Sequence, residues 1–128
     1  KDGNDGETKR RETAKLIVEK IDEIRRTNDH CAVIIGGDWN MAESSVAYST
    51  VVGNGLLDGR YVADAGSSVG SYNAWTRTNP GSYAKGDYIF LAEGMKSESF
   101  TVVTDDWANE EKTLHVSDHC PLIAKINY

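Results

Sequence analysis

Cysteine is scarce in this sequence: Cys31 and Cys120 are the only two in 128 residues. Two thiols cannot build a disulfide scaffold, and without C-x-x-C spacing they offer neither a zinc site nor a thioredoxin-like dithiol. Both read as small core residues, Cys31 opening an apolar strand and Cys120 following His119, at opposite ends of the sheet and unbonded to each other. Proline is as rare, at 2, and no low-complexity tract is present, which excludes collagenous and disordered classes. Long apolar runs are missing too. The longest, Ala32 to Ile35 and Tyr88 to Ala92, fall far short of the ~20 residues that span a bilayer, so no transmembrane helix is expected. Basic charge is in deficit, with 14 Lys and Arg against 20 Asp and Glu and a net charge of −6. That balance argues against gripping a long polyanion through its phosphates, unless several acids are committed to a divalent ion that reverses the local field. There is no initiator Met, and Lys1 to Lys9 is polar, with neither the apolar core nor the cleavage site of a signal peptide. The expectation is a processed chain or a piece of a longer one, with its compartment left open.

What is present is a globular composition, 39% hydrophobic and 27% charged with 12 glycines, in a length that suits one domain or part of one. Ala14, Ile17, Val18, Ile21 and Ile24 recur at helical spacing and predict an amphipathic helix over Glu7 to Asn28, with Lys9, Arg10 and Arg11 on its solvated start. Ala32 to Ile35 predicts a strand buried on both faces, closed by Gly36-Gly37. Ser44 or Ser45 caps a second helix through about Val52, stopped at Asn54-Gly55. Leu56 to Ala65 reads as irregular with a turn at Leu57-Asp58-Gly59, and Gly66 to Gly70 as a loop. Strands are expected at Tyr72 to Thr76, Asp87 to Ala92, Ser99 to Thr104 and Leu122 to Asn127, with Asp105 to His115 a surface loop. The order suggests a mixed sheet with helices on one face.

Three polar clusters sit at the mouths of buried strands, where a rigid element can aim side chains at a common site. They are Asp38-Trp39-Asn40, Asp87 beside Tyr88, and Ser117-Asp118-His119. Together they supply three carboxylates, a carboxamide and an imidazole, an inventory suited to a hard, oxygen-ligated cation with a general base beside it, as in phosphate-ester hydrolysis. Taken singly, each would be read as a turn or cap residue.

Gly37-Asp38-Trp39-Asn40 resembles the G-D-[FW]-N motif of the endonuclease/exonuclease/phosphatase superfamily. Gly86-Asp87-Tyr88-Ile89-Phe90 is similar to its D-Y-I-F strand, and Ser117-Asp118-His119-Cys120-Pro121 to its S-D-H-x-P ending. The three occur in the family's order across nearly the whole chain. The resemblance implies that His119 is the base that activates water and that Asp87 holds its imidazole. It implies that Asp38 and Asn40 position the water and the phosphate, and that Asp118 is a metal ligand or its neighbour. Trp75 would pack beneath the site or in the core, while His30 and His115 match no family position. The sequence departs from the pattern at Gly86, where the family commonly has Ile, and Lys1 to Glu12 carries no counterpart of the family's Asn, metal-binding Glu and His-bearing strand.

The fold the resemblance implies is α/β, half of a four-layer α/β/β/α sandwich with one mixed sheet and helices on its outer face. Residues 1–128 then correspond to the C-terminal half of the domain. The activity implied is Mg²⁺- or Mn²⁺-dependent hydrolysis of a phosphate ester by a His-activated water. The alternative is a half-fold that no longer catalyses and serves as an interaction module. Substrates in this superfamily include nucleic acid, phosphoinositide and phospholipid headgroups, and the charge balance favours a small or lipid phosphodiester over DNA. The partners expected are the complementary N-terminal half, or a second copy joined through the exposed sheet face, and the chain alone is expected to bind the metal poorly.

Overall fold

The computed structural model describes residues 4–75, 79–105, 107–108, 113–114 and 116–128. Helix α1 (Asn4–Thr27) begins three residues before the predicted start, with Asp5 and Glu7 in its first turn and Arg25 and Arg26 in its last, where each charge complements the helix dipole. Its buried stripe is Ala14, Val18 and Ile21, at helical spacing, while Ile24 of the expected stripe is exposed near the end. Helix α2 (Val46–Gly53) starts at Ser45, whose Oγ accepts from Tyr48 N at 3.1 Å, and the chain leaves it through Gly55 at φ 83°.

The strands are β1 (Ile34–Asp38), β2 (Leu56–Asp58), β3 (Ala63–Gly66), β4 (Asp87–Ala92), β5 (Lys96–Val102), β6 (Trp107–Ala108), β7 (Thr113–Leu114) and β8 (Leu122–Asn127), with a 3₁₀ turn at Pro80–Ser82. They divide between two main sheets. One is antiparallel in the order β1-β4-β2, and the other runs β3-β5-β8 with β3 parallel to β5; β6 and β7 form a separate pair. The α/β reading as half of a sandwich holds, but the chain contributes strands to both central sheets rather than to one. The crossing between them starts at Gly59. After β2 its N–H donates to Ile89 O at 2.8 Å, and a Cβ there would lie 2.9 Å from the same carbonyl, so only glycine lets the chain pass this close to β4 before leaving for the second sheet. Arg60 completes the crossing, its guanidinium 4.9 Å from the Phe100 ring and bonded to the carbonyls of Ser67 and Val69.

Strand β4 is the centre of the core. Tyr88 and Phe90 stack at 5.4 Å and are wholly buried with Ala14, Ile21, Ala47 and Val51, and Trp39 meets Phe90 edge-on at 5.0 Å. Ile89 packs against a second cluster containing Phe100, Val102 and Cys120, which joins the sheets. Several expectations are corrected. Strand β1 begins two residues late and is not buried on both faces: it is an edge strand, and Ile34 is 49% exposed. Cys31 precedes that strand and is exposed, while Cys120 is buried; both are free, as expected. Residues Leu56 to Ala65 contain two short strands where an irregular stretch was expected. Tyr72 makes only single bridges, to Ala84 and His119, in place of a strand to Thr76, because Ala74 and Trp75 take left-handed φ values of 54° and 60°. Thr76, His115 and much of the expected 105–115 loop lie outside the described residues.

Candidate active site

Strand register assembles the site. In the antiparallel pairing of β1 with β4, Asp38 stands directly opposite Asp87, which puts two motif acids side by side at one end of the sheet. The third motif arrives from a loop. Tyr72 pairs with His119, Cys120 N donates to Ser71 O at 2.7 Å, and Asn73 N donates to Asp118 O at 2.8 Å, so the Ser117–Cys120 segment is fastened along Ser71–Asn73. The buried Asn73 carboxamide adds a bond to Ser117 O at 3.0 Å. Gly70 admits a different neighbour, the Tyr83–Ala84 backbone that pairs with Tyr72: a Cβ there would run into Tyr83 O and Ala84 O.

The result brings His119 Nδ1 to 2.7 Å from Asp87 Oδ2 and His119 Nε2 to 4.0 Å from Asp38 Oδ2. With Asp87 ionised, Nδ1 carries the proton and donates it to the carboxylate, leaving Nε2 as the basic nitrogen. The Ser71 hydroxyl donates to the same Oδ2, so Asp87 is held from two sides. The Asp87 bond raises the His119 pKa above its ordinary value; partial burial opposes this, and the charges of Asp87, Asp38 and Asp118 reinforce it. Tyr72 covers the imidazole, ring centres 5.0 Å apart.

Asp38 and Asn40 form the exposed side. Asp38 accepts from Asn40 N at 2.8 Å and from Asn40 Nδ2 at 3.0 Å, a local turn in which Asn40 takes φ 48°. Asp38, Asn40, Asp118 and His119 line one cleft of about 400 Å³, together with Tyr72 and Lys85. Among the described residues, the one group of three or more His, Cys, Asp or Glu with ligand atoms within 4.8 Å of one another is Asp38, Asp87 and His119. Asp118 belongs to the cleft and not to that group. The donors facing the cleft, carboxylates of Asp38 and Asp118 and the carboxamide of Asn40, are oxygen atoms of the kind Mg²⁺ and Mn²⁺ take, so the residues fit a hard divalent ion.

All five motif residues therefore meet, and Trp75 does not join them as a packed aromatic: it is 61% exposed on the turn after Asn73. Sequence reasoning passed over Ser71, Tyr72 as a cover for His119, and Lys85. Ser71 closes a Gly/Ser loop and carries no local signal; its partner lies 16 residues away. Lys85 donates to Glu43 Oε1 at 2.9 Å and to Tyr61 OH at 2.8 Å, and Tyr61 OH donates to the same Glu43 oxygen at 2.6 Å. Desolvation acts to lower the Lys85 pKa, and the bonds to Tyr61 and Glu43 overcome it and raise it.

No protein-family model and no curated protein sequence matches the chain. Solved structures do. A Bacteroides thetaiotaomicron mannosyl-6-phosphatase superposes with TM-score 0.80 at 26% identity, over 93% of this chain and 46% of that one. An endonuclease/exonuclease/phosphatase family protein of the same organism gives 0.81 at 26% identity, over 95% and 44%. A Bacteroides vulgatus endonuclease/exonuclease/phosphatase gives 0.73 at 26% identity, over 94% and 44%. The chain thus spans less than half the length of these relatives, and over that length it has the fold of the endonuclease/exonuclease/phosphatase family.

Proposed function

We propose that this chain supplies the general-base side of a divalent-metal-dependent phosphoesterase. The carrying observation is the cross-strand pair Asp38–Asp87 with His119 between its members, bonded to one and facing the other. Asp87 fixes the imidazole so that Nε2 points its lone pair toward the cleft, where it takes a proton from water as that water attacks phosphorus. Ser71 fixes Asp87 in turn. The Asn40 carboxamide and the Asp38 carboxylate, locked together, position the water and the phosphate. Mg²⁺ or Mn²⁺ would be held by Asp118 and its neighbours and, when bound, supplies positive charge that stabilises the phosphorane-like transition state.

The share of each relative that is covered supports a further part of this reading, that residues 1–128 act as the C-terminal half of a domain and are completed by an N-terminal half or, failing that, by a second copy. The exposed β1 edge suits such pairing. The name of the mannosyl-6-phosphatase relative supports a phosphate ester as substrate. The test is hydrolysis of 4-nitrophenyl phosphate and bis(4-nitrophenyl) phosphate with Mg²⁺ or Mn²⁺, by the chain alone and with its complementary half. Activity lost on chelation and in His119→Ala is the expected result; full activity in His119→Ala would overturn the assignment.

A further inference from the structure

The cleft beside His119 is lined by acids, yet one wall carries an ammonium. Lys85 reaches it from the segment just before β4, one residue from Gly86, whose carbonyl accepts from Trp39 N at 2.9 Å. Lys85 therefore stands beside the Asp38–Asn40 turn. It is held firmly. Glu43, from the segment before α2, and Tyr61, from beyond β2, each take one of its N–H donors, and the Tyr61 ring lies 5.2 Å from Nζ. These contacts come from residues 42 and 24 positions away, so they fix the amine in space and spare it the entropy of a free lysine. An ammonium has three donors, and these two bonds leave one over on a residue that lines the cleft.

Resting on the phosphoesterase reading above, we infer that Lys85 is a specificity residue: its remaining N–H, aimed by Glu43 and Tyr61, binds an unsubstituted oxygen of a phosphomonoester. A monoester phosphate carries three unsubstituted oxygens and two negative charges, whereas in a diester one of the three is capped by carbon and a single charge remains. The Lys85 ammonium is already paired with the Glu43 carboxylate at 2.9 Å, so what it adds to a site with a base, a carboxamide and carboxylates is a fixed N–H donor, which the monoester's additional unsubstituted oxygen can accept. A diester gains little from it, and its second ester group meets a charged wall.

The probes are inorganic phosphate and dimethyl phosphate, titrated calorimetrically into the full chain at about pH 8, where phosphate is largely a dianion. Wild type should bind phosphate more tightly than dimethyl phosphate. Lys85→Met should weaken phosphate about tenfold or more and dimethyl phosphate by less than about twofold, the loss expected for one charge-assisted hydrogen bond. Lys85→Arg should retain most of the preference. Equal losses for both probes, no loss for phosphate, or no phosphate binding by wild type would overturn the inference. Tyr61→Phe keeps every charge and removes one bond to the amine. It should weaken phosphate by a smaller factor, and an unchanged affinity would overturn the positioning claim even if Lys85→Met fails to fold. If this binding pattern is found and the chain combined with its complementary half hydrolyses neither nitrophenyl ester, the phosphoesterase reading falls and Lys85 remains as a phosphate ligand. One that hydrolyses esters with the same monoester-to-diester ratio in Lys85→Met sinks the Lys85 assignment alone.

Discussion

The two sides of the site are built in opposite ways. Asp38 and Asn40 make their bonds within three residues, on an exposed turn at the end of an edge strand. Asp87, Ser71 and His119 make theirs across separations of 16 and 32 residues, in a half-buried seat beneath Tyr72. A local turn re-forms whenever the chain is in the right backbone region, and it costs little to disturb. A seat assembled from three distant segments exists only while the whole fold does, so its geometry is set by packing and its failure is cooperative. Under the proposed function, proton transfer would fall to the rigid side and substrate positioning to the adaptable one.

The largest effect should come from breaking the rigid side at its functional end. His119→Ala should lower phosphate-ester turnover by about 10²–10⁴-fold, the range for losing a general base, with Asp87→Asn falling in the same range because it disturbs the tautomer. Initial rates at saturating metal decide this, and a loss confined to KM would mean that His119 binds substrate without taking a proton.

Next in size is an attack on the seat's scaffold. Gly70→Ala drives a methyl into Tyr83 O and should cost about 3 kcal/mol in urea unfolding while leaving the Asp38–Asn40 turn intact. A neutral result would show that the Ser71–Asn73 segment does not depend on this close approach.

Ser71→Ala should cost about 1–3 kcal/mol, since it leaves a partly buried carboxylate short of one donor. It should also raise the His119 pKa further, because Asp87 then pulls harder on the remaining proton; NMR titration of the imidazole reads this directly. The sign matters for pH dependence. His119 has its folded pKa raised above the ordinary 6.5, chiefly by the Asp87 bond, so protonation favours the folded state. Its contribution to stability is complete below the unfolded pKa and disappears as pH rises through the folded one, while turnover rises over the same interval as Nε2 becomes free. Denaturation and rate profiles that move together with pH would contradict this, and His119→Gln should flatten both.

The smallest effect belongs to the local side. Asn40→Ala should cost about 1 kcal/mol of stability, from the lost bond to Asp38 and the left-handed backbone that alanine tolerates poorly. A loss as large as that of Gly70→Ala would erase the distinction between the two sides.

Legibility follows the same division. Strands β4 and β8 stand where the residue pattern puts them, and α1 and α2 are displaced by only a few residues, because burial periodicity and the Ser45 cap are local signals. The Asp38–Asn40 turn is likewise written in adjacent residues. The exposure of Ile34 and Cys31 was not legible, since an apolar run does not say whether its strand is central or at an edge. The turn at Ala74–Trp75 was hidden in a stretch that reads as a strand, because its left-handed conformation is enforced by Asn73, whose side-chain oxygen accepts from Trp75 N at 2.8 Å.

The sequence by itself determined the chemical inventory: three acids, a carboxamide and an imidazole at strand mouths, in an order that resembles one superfamily. It also determined which segments bury an apolar stripe, because side-chain periodicity follows directly from helix and strand geometry. Only the tertiary structure decided that Asp38 faces Asp87, that Ser71 and not another hydroxyl supports the pair, and that Glu43 and Tyr61 hold Lys85 at the cleft. Register and long-range contact depend on how the sheets and helices pack against one another, and no window of neighbouring residues contains that information.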